Sequence, residues 1–206
     1  MATALERARD VITRCVILGP TLGQPRSLEV CDHGLILRRA SLHDALGIAR
    51  VHVWSWQSAY RGLLPQDYLD TLTPARRRPG WERIIRDADW PRSGTIAAEA
   101  HGPIIGFVDI TPTRDSDSDP ASVGELTSIY VLPTQWGKGI GRQLMATAVN
   151  IMTDAGFDQA TLWVLHTNLR ARHFYDTAKW RLDGATREEE IGGVPINEVR
   201  YRRPLP

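Results

Sequence analysis

The stretch that decides the fold is Tyr130-Val131-Leu132-Pro133-Thr134-Gln135-Trp136-Gly137-Lys138-Gly139-Ile140-Gly141-Arg142. Its pattern indicates the end of a strand, a turn with three glycines at alternate positions, and the start of a helix. At such a junction, free backbone N–H groups and the positive end of the helix dipole favour an anion such as phosphate. Glycines have no Cβ, so the backbone can approach that anion closely. The turn is a candidate phosphate site, and the alternative is a tight turn without a ligand.

The charge of the whole chain gives anions no general attraction. The 206 residues include 25 Lys and Arg against 24 Asp and Glu, a formal charge of +1. That balance excludes a global field that would draw the chain to nucleic acid or to an anionic membrane, so any anion must be bound locally. The spacing of the three glycines does not fit G-x-G-x-x-G, and no Ser or Thr follows Gly137-Lys138 as in a P-loop. Both observations disfavour a dinucleotide or nucleoside triphosphate site.

Outward from the turn, the chain divides into an extension, residues 1–34, and one domain, residues 35–206. The extension has no regular apolar period, so we expect it to be flexible, with one short helix around residues 5–15. A length of 206 residues and a hydrophobic content of 42% are typical of a single soluble globular domain.

The domain alternates strand and helix patterns. The predicted elements are a strand at 35–39, a helix opened by Ser41 and Asp44, shorter helices to residue 90, a hairpin of 95–99 and 104–110, a strand at 125–132, a helix ending at Gly156, a strand at 160–165, a helix capped by Asn168, and a hairpin turning at Gly192-Gly193. We expect Pro79-Gly80 to interrupt the helix that begins at Thr73-Pro74. The order predicts an α+β fold with a largely antiparallel sheet and one parallel pair inside it.

Here the sequence resembles the GNAT superfamily of acyl-coenzyme A dependent N-acyltransferases, over about residues 36–203. The family's loop is Q/R-x-x-G-x-G/A, and residues 136–141 match it with Trp136 in the first place. Residues 125–131 resemble the family's central strand, and residues 168–175 its N-x-x-A-x-x-F-Y helix. The resemblance implies a GNAT-like mixed sheet flanked by helices, in which a splayed parallel strand pair holds acetyl-CoA as co-substrate.

The resemblance also implies how acetyl-CoA is bound. The central strand lines the pantetheine arm, the glycine turn surrounds the pyrophosphate, and Asn168 contacts the arm besides capping its helix. The implied cofactor-binding residues are Ile129, Tyr130, Val131, Trp136, Gly137, Lys138, Gly139, Ile140, Gly141, Arg142 and Asn168. Lys138 and Arg142 can equally be solvated, and the run Arg76-Arg77-Arg78 either approaches the 3′-phosphate or is plain surface.

Glu125 and Tyr175 are the catalytic candidates. An aliphatic amine with a pKa of about 10.4 is mostly protonated at pH 7, so its attack needs a base, and Glu125 begins the central strand. The alternative for Glu125 is a rim carboxylate that attracts a cationic substrate. The resemblance implies that the Val131 N–H stabilises the charge on the acetyl oxygen and that Tyr175 protonates the leaving thiolate. The alternative for Tyr175 is a buried core aromatic.

The predicted reaction transfers an acetyl group from acetyl-CoA to a primary amine, either a small molecule or a peptide. Trp54, Ser55 and Tyr60 are the substrate candidates, because the resemblance places their segment over the acceptor site and aromatic rings can contact a cation. The cysteines Cys15 and Cys31 lie outside every motif, so direct attack is preferred to an acyl-enzyme. The alternative function is a non-catalytic acyl-CoA-binding sensor. We expect a monomer or a homodimer.

Metal binding and membrane insertion are not expected. The stretch Asp115-Ser116-Asp117-Ser118-Asp119 begins like a calcium loop, but Pro120 takes the place of the required glycine and Leu126 that of the bidentate glutamate. It is predicted to be a solvated loop. The histidines lack metal-ligand spacing, so no metal is implied. No apolar run approaches a membrane span of about 18 residues, and the predicted location is cytoplasmic, with no nucleic-acid or membrane partner.

Overall fold

The computed structural model describes residues 30–31 and 34–206. The short helix predicted around residues 5–15 and most of the predicted extension lie outside the described residues. The strands are β1 Val30–Cys31, β2 Leu35–Arg39, β3 Gly94–Ala100, β4 Ile104–Pro112, β5 Val123–Val131, β6 Gln159–Leu165, β7 Arg181–Ile191 and β8 Val194–Pro204. They form one sheet in the order β1-β2-β3-β4-β5-β6-β8-β7. Among the strands of the described residues only β5 and β6 are parallel neighbours, which confirms the predicted fold class.

Helices cover both faces of the sheet. They are α1 Ala45–Ala59, α2 Gln66–Thr71, α3 Pro74–Arg86, α4 Ile140–Asp154 and α5 Leu169–Thr177. Residues of α1, α2 and α3 pack with Phe107, Tyr130 and Leu165 on one face, which we call the α1 face. Residues of α4 and α5 pack with Leu126 and Ile129 on the other, the α4 face. No helix in the described part of the chain has the length and apolar character needed to cross a membrane.

Two predicted helix starts are confirmed in atomic detail. The backbone N–H of Ser41 donates to Asp44 Oδ2 at 2.7 Å, just before α1. The side chain of Asn168 accepts a hydrogen bond from the N–H of Ala171 at 3.1 Å, at the start of α5. Each bond satisfies a backbone N–H that has no partner inside the helix.

The predicted interruption of α3 is wrong, because the helix continues through Pro79 and Gly80. Proline removes one helical hydrogen bond, a loss that tertiary packing can offset. That packing comes from Trp81, which is buried and donates from Nε1 to His52 Nδ1 at 3.2 Å. Its ring also meets Phe107 edge-on at 4.7 Å between centroids.

A bulge in β5 opens the middle of the sheet. Asp109 pairs with Ser128 and Ile110 with Leu126, so Thr127 is an extra residue in β5. Bulges bend the strand that carries them. The ladder between β5 and β6 accordingly stops after Glu125 and Thr161, although both strands continue. Beyond that pair the two strands diverge and leave a cleft between them.

Candidate functional site

A cavity of about 810 Å³ lies at the end of β5, beyond the last residues that pair with β6. Its walls come from the end of β5, the glycine turn, the start of α4, α5, part of α1 and one residue of β8. The predicted site residues that line it are Ser55, Tyr60, Tyr130, Val131, Trp136, Gly137, Gly139, Ile140, Gly141, Arg142 and Asn168. The structure therefore brings most of the predicted residues together around one cavity.

The glycine turn is open toward this cavity. Gly137 and Gly139 have φ of 81° and 78°, a conformation that residues with a Cβ rarely adopt. A Cβ added to either glycine would meet no atom within 4 Å. Gly139 is the N-cap of α4, so the first N–H groups of that helix lie at the cavity without intrahelical partners. The turn thus offers space and hydrogen-bond donors to an anion.

The charged side chains along the cavity are all cationic. They are Arg142, Arg170, Lys179 and Arg203, and no aspartate or glutamate of the described residues lines it. None of these four makes an ion pair with another described residue. Burial lowers the pKa of Arg203, because desolvation disfavours its charged form. An anionic ligand would compensate these charges, and no side chain among residues 30–31 and 34–206 does so.

Trp136 and Ser55 both bind the carbonyl of Val131, the last residue of β5. The indole Nε1 of Trp136 donates to that oxygen at 2.8 Å, and the Ser55 hydroxyl donates at 3.0 Å. The Arg170 guanidinium lies over the face of the Trp136 ring, with its Cζ 3.7 Å from the ring centroid. The glycine turn and α1 are therefore tied to the same peptide group.

The Val131 N–H points toward the cleft. Leu132 donates its N–H to Ile105 O of β4 at 2.9 Å. Successive N–H groups of a strand point to opposite edges, so the Val131 N–H points away from β4. It is a donor at the edge of β5 that faces the diverging β6.

Glu125 lies on the α1 face and does not line the cavity. It is 2% exposed and is held by Arg114, whose Nη2 lies 2.7 Å from Oε1 and whose Nε lies 3.1 Å from Oε2. The backbone N–H of Arg114 also donates to Oε2 at 3.3 Å. Both carboxylate oxygens thus accept hydrogen bonds from one arginine, which neutralises their charge. The sequence pattern gave no sign of Arg114 as a site residue.

Asp109 is a second buried carboxyl group that the sequence analysis missed. Its oxygens accept hydrogen bonds from Thr95 at 2.6 Å and from Thr127 at 2.7 Å. Burial raises the pKa of Asp109 to about 6, although these hydrogen bonds lower it. Through Thr127 it holds the bulge that opens the cleft. Its signal in the sequence was an aspartate in the largely apolar strand β4.

Some predicted site residues are placed elsewhere. Tyr175 is fully buried among Phe174 and Tyr201, with ring centroids 5.6 and 5.4 Å away, and only Phe174 lines the cavity. Ile129 is fully buried in the core and does not line the cavity either. Trp54 is 47% exposed on the outside of α1. The Lys138 ammonium donates to Gln135 Oε1 at 2.9 Å and lies outside the lining.

Several cavity residues were not predicted. They are Ala59, Gln135, Arg170, Ala171, His173, Phe174, Thr177, Ala178, Lys179 and Arg203. Ala171 and Phe174 belong to the N-x-x-A-x-x-F-Y pattern and could have been found from it. Arg203 comes from the last strand, which carries no local signal of a site.

The structure also places the acidic loop at residues 115–119 and the basic run at residues 76–78. The loop with Asp115 and Asp117 is not simply solvated, because Arg200 pairs with them at 2.9 and 2.6 Å. Residues 76–78 do not line the cavity: Arg78 pairs with Glu82, and Arg77 lies over the Trp56 ring at 5.5 Å.

Comparison with known proteins gives consistent relatives. The model of the acetyltransferase (GNAT) family matches residues 54–178. YuaI of Bacillus subtilis (strain 168), an uncharacterized N-acetyltransferase, is 30% identical over 164 residues, 79% of this chain and 89% of that protein. An uncharacterized N-acetyltransferase of Archaeoglobus fulgidus is 36% identical over 68% of this chain and 88% of its own. A spermidine N(1)-acetyltransferase of Thermoplasma acidophilum is 24% identical over 80% of this chain and 96% of its own.

Solved structures share the fold. The PaiA N-acetyltransferase of Thermoplasma acidophilum, in complex with coenzyme A, matches with a TM-score of 0.65 and 20% identity over 84% of this chain and 99% of that chain. The family match spans more than half of the chain, and the fold and the glycine turn agree with it. The chain belongs to the acetyltransferase (GNAT) family, and its class of activity is that of an N-acetyltransferase.

Proposed function

We propose that the chain transfers the acetyl group of acetyl-CoA to a primary amine by direct attack. The observation that carries the proposal is the cavity, which has an open glycine turn and four cations that pair with no carboxylate of the described residues. Acetyl-CoA has a pyrophosphate and a 3′-phosphate that can pair with such cations. Its narrow pantetheine arm contains amides that can hydrogen-bond to the edge of β5. The residues present therefore fit this co-substrate.

The chain's own groups divide the work along the cleft. The N–H groups of the turn hold the pyrophosphate, and the β5 edge takes the pantetheine arm much as it would take an added strand. The Val131 N–H stabilises the negative charge that develops on the acetyl oxygen during attack. The amine nitrogen forms its bond to the carbonyl carbon, the C–S bond breaks, and the sulfur leaves with the electron pair.

Glu125 and Tyr175 are the proposed proton-transfer groups. Glu125 takes a proton from the ammonium directly or through water, which requires the substrate to displace Arg114 from the carboxylate. Tyr175 gives a proton to the departing thiolate from its buried position, and the second proton that the attacking nitrogen loses on becoming an amide returns to Tyr175 through water. In E125Q, turnover near pH 7 should fall at least about tenfold. Unchanged turnover below neutral pH would exclude Glu125 as the base. Y175F with full turnover and intact acetyl-CoA affinity would exclude Tyr175 as the acid.

The sensor remains a second candidate, because the Arg114–Glu125 pair and the burial of Tyr175 leave the proposed base and acid engaged within the protein. Calorimetric titration with coenzyme A and thiol release from acetyl-CoA over a panel of amines distinguish the two functions. The panel includes spermidine, the amine that names one relative. Binding with turnover supports the transferase, and tight binding without turnover on any amine supports the sensor. A chain that does not bind coenzyme A would contradict both.

A further inference from the structure

We propose that Arg170, stacked on Trp136, binds the pyrophosphate of coenzyme A beside the glycine turn. Arg170 is then a binding residue, and Trp136 is the positioning residue that holds it there. The inference rests on the proposed function, because it takes the anion in the cavity to be coenzyme A. No motif in the sequence pointed to Arg170.

A hydrogen bond and its position next to the glycine turn fix the Trp136 ring. Its Nε1 donates to the Val131 carbonyl at 2.8 Å, which joins the ring to the end of β5. Trp136 also lies directly before Gly137, the first glycine of the turn, and lines the cavity with it. A ring held this way is a rigid surface at the site where the phosphate-binding N–H groups converge. The indole itself carries no charge, so it cannot neutralise a phosphate.

Arg170 supplies the missing charge. It is an exposed residue in the first turn of α5, and a long exposed side chain normally samples many rotamers. Its Cζ lies 3.7 Å from the Trp136 ring centroid, a cation–π contact that limits those rotamers. The planar guanidinium keeps its N–H donors at its edge while its face is stacked, so it can still bind phosphate oxygens.

The charges around Arg170 indicate that it binds a ligand and not another side chain of the protein. Arg170 has no ion-pair partner within the described residues. Arg172, two residues further along α5, instead donates to the His166 carbonyl at 3.0 Å and does not line the cavity. The same helix thus carries one arginine used within the fold and one directed to the cavity. Arg172 provides the matched control.

Calorimetric titration of the full chain with coenzyme A tests the assignment. R170A should weaken binding about tenfold, the loss of a charge-assisted contact, and R172A should leave it within about twofold. W136A should weaken binding about as much as R170A, and W136F, which keeps an aromatic face, much less. The double variant W136A/R170A should lose less affinity than the product of the two single losses, because both changes remove the stacked contact and only W136A also removes the Nε1 bond to Val131.

The outcomes separate this inference from the proposed function. Binding by R170A within about twofold of the wild-type value would overturn the inference, as would losses in W136A and R170A that multiply in the double variant. Dephospho-CoA keeps the pyrophosphate, so R170A should lose affinity for it by the same factor; a loss for coenzyme A alone would overturn the pyrophosphate assignment. Thermal unfolding checks that W136A folds, and R170A decides the question if it does not. A wild-type chain that fails to bind coenzyme A would instead contradict the proposed function.

Discussion

Burial raises the pKa of Asp109 to about 6 from 3.8. Its charged form therefore destabilises the folded state at neutral pH. Between these two values the folded chain binds more protons at this site than the unfolded chain. Stability therefore falls as pH rises through this window, and the full penalty is present above it. Two pKa units correspond to about 3 kcal/mol.

The variant D109N removes this titration while keeping a group that can hydrogen-bond to Thr95 and Thr127. The free energy of unfolding of D109N relative to wild type should rise by up to about 3 kcal/mol between about pH 4 and pH 7. Urea unfolding of both proteins across that range measures the difference. A difference that stays constant with pH would show that Asp109 does not titrate in this window.

Single residues show where sequence reasoning succeeds and where it stops. The glycine turn could be predicted because its function depends on neighbouring backbone groups, and residues 136–142, except Lys138, do line the cavity. The partner of Glu125 could not be predicted, because Arg114 reaches it from a loop that no local pattern links to β5. Arg170 and Arg203 were missed for the same reason: an unpaired cation becomes recognisable only when the elements around it have been assembled.

The glycine turn is the element whose geometry most directly controls the proposed cofactor binding. G139A places a Cβ at a φ of +78° and into the open space of the turn. We expect a loss of about 1–2 kcal/mol of stability from strain and at least about a tenfold loss of coenzyme A affinity. Urea unfolding and calorimetric titration measure the two effects.

G156A is the matched control for the turn. Gly156 has a φ of +81°, its Cβ would also meet nothing within 4 Å, and it does not line the cavity. The control should show the same loss of stability and bind coenzyme A as the wild type does. Equal affinities of G139A and G156A for coenzyme A would contradict a ligand at the turn.

The tip of the β7–β8 hairpin packs on α2 through Gly192. A Cβ on Gly192 would lie 2.7 Å from Tyr68, whereas one on Gly193 would meet nothing, and both glycines have positive φ. G192A should therefore lose about 1–3 kcal/mol more stability than G193A, as measured by urea unfolding. Adding Y68G, which removes both the Cβ and the ring of Tyr68, should remove that excess. Equal losses in G192A and G193A would show that the hairpin tip does not press on α2.

Helices and strands whose residues follow an apolar period could be predicted from the sequence. Features that depend on packing against, or pairing with, a second element could not. Strands β2 to β8, the helices and the parallel pair followed from apolar periods and turn residues, whereas β1 lies in the stretch that was predicted to be a flexible extension. The helix through Pro79 was not predicted, because Trp81 is held by His52 and Phe107 from other parts of the chain. The bulge at Thr127 was not predicted either, because the pairing register depends on two strands together.

The molecule separates its charges although its total is close to zero. In the part of the chain that the structure describes, cations line the cavity without carboxylates, whereas on the α1 face arginines and carboxylates are paired. Arg200, for example, binds Asp115, Asp117 and Asp183, and it holds the pKa of Asp117 well below its usual range. A formal charge of +1 therefore conceals a local positive field at the cleft.

That field makes the proposed acetyl-CoA binding sensitive to salt. The KM for acetyl-CoA should rise several-fold between about 0.05 and 0.5 M NaCl, because ions screen the cavity cations before the ligand arrives. Acetyl-pantetheine, which lacks the pyrophosphate and the adenosine phosphate, is the control and should show little change. Steady-state kinetics in both substrates measures this, and an equal response of the two would contradict a role for these cations.

The divergence of β5 and β6 also bears on aggregation. Beyond Glu125, β5 has a neighbouring strand among the described residues only on its β4 side. An open strand edge ordinarily invites pairing with another polypeptide chain. Here the edge faces a cleft walled by α1, α4 and α5, so pairing would require another chain to enter that cleft. The protein's own helices therefore limit the access of other copies to this open strand edge.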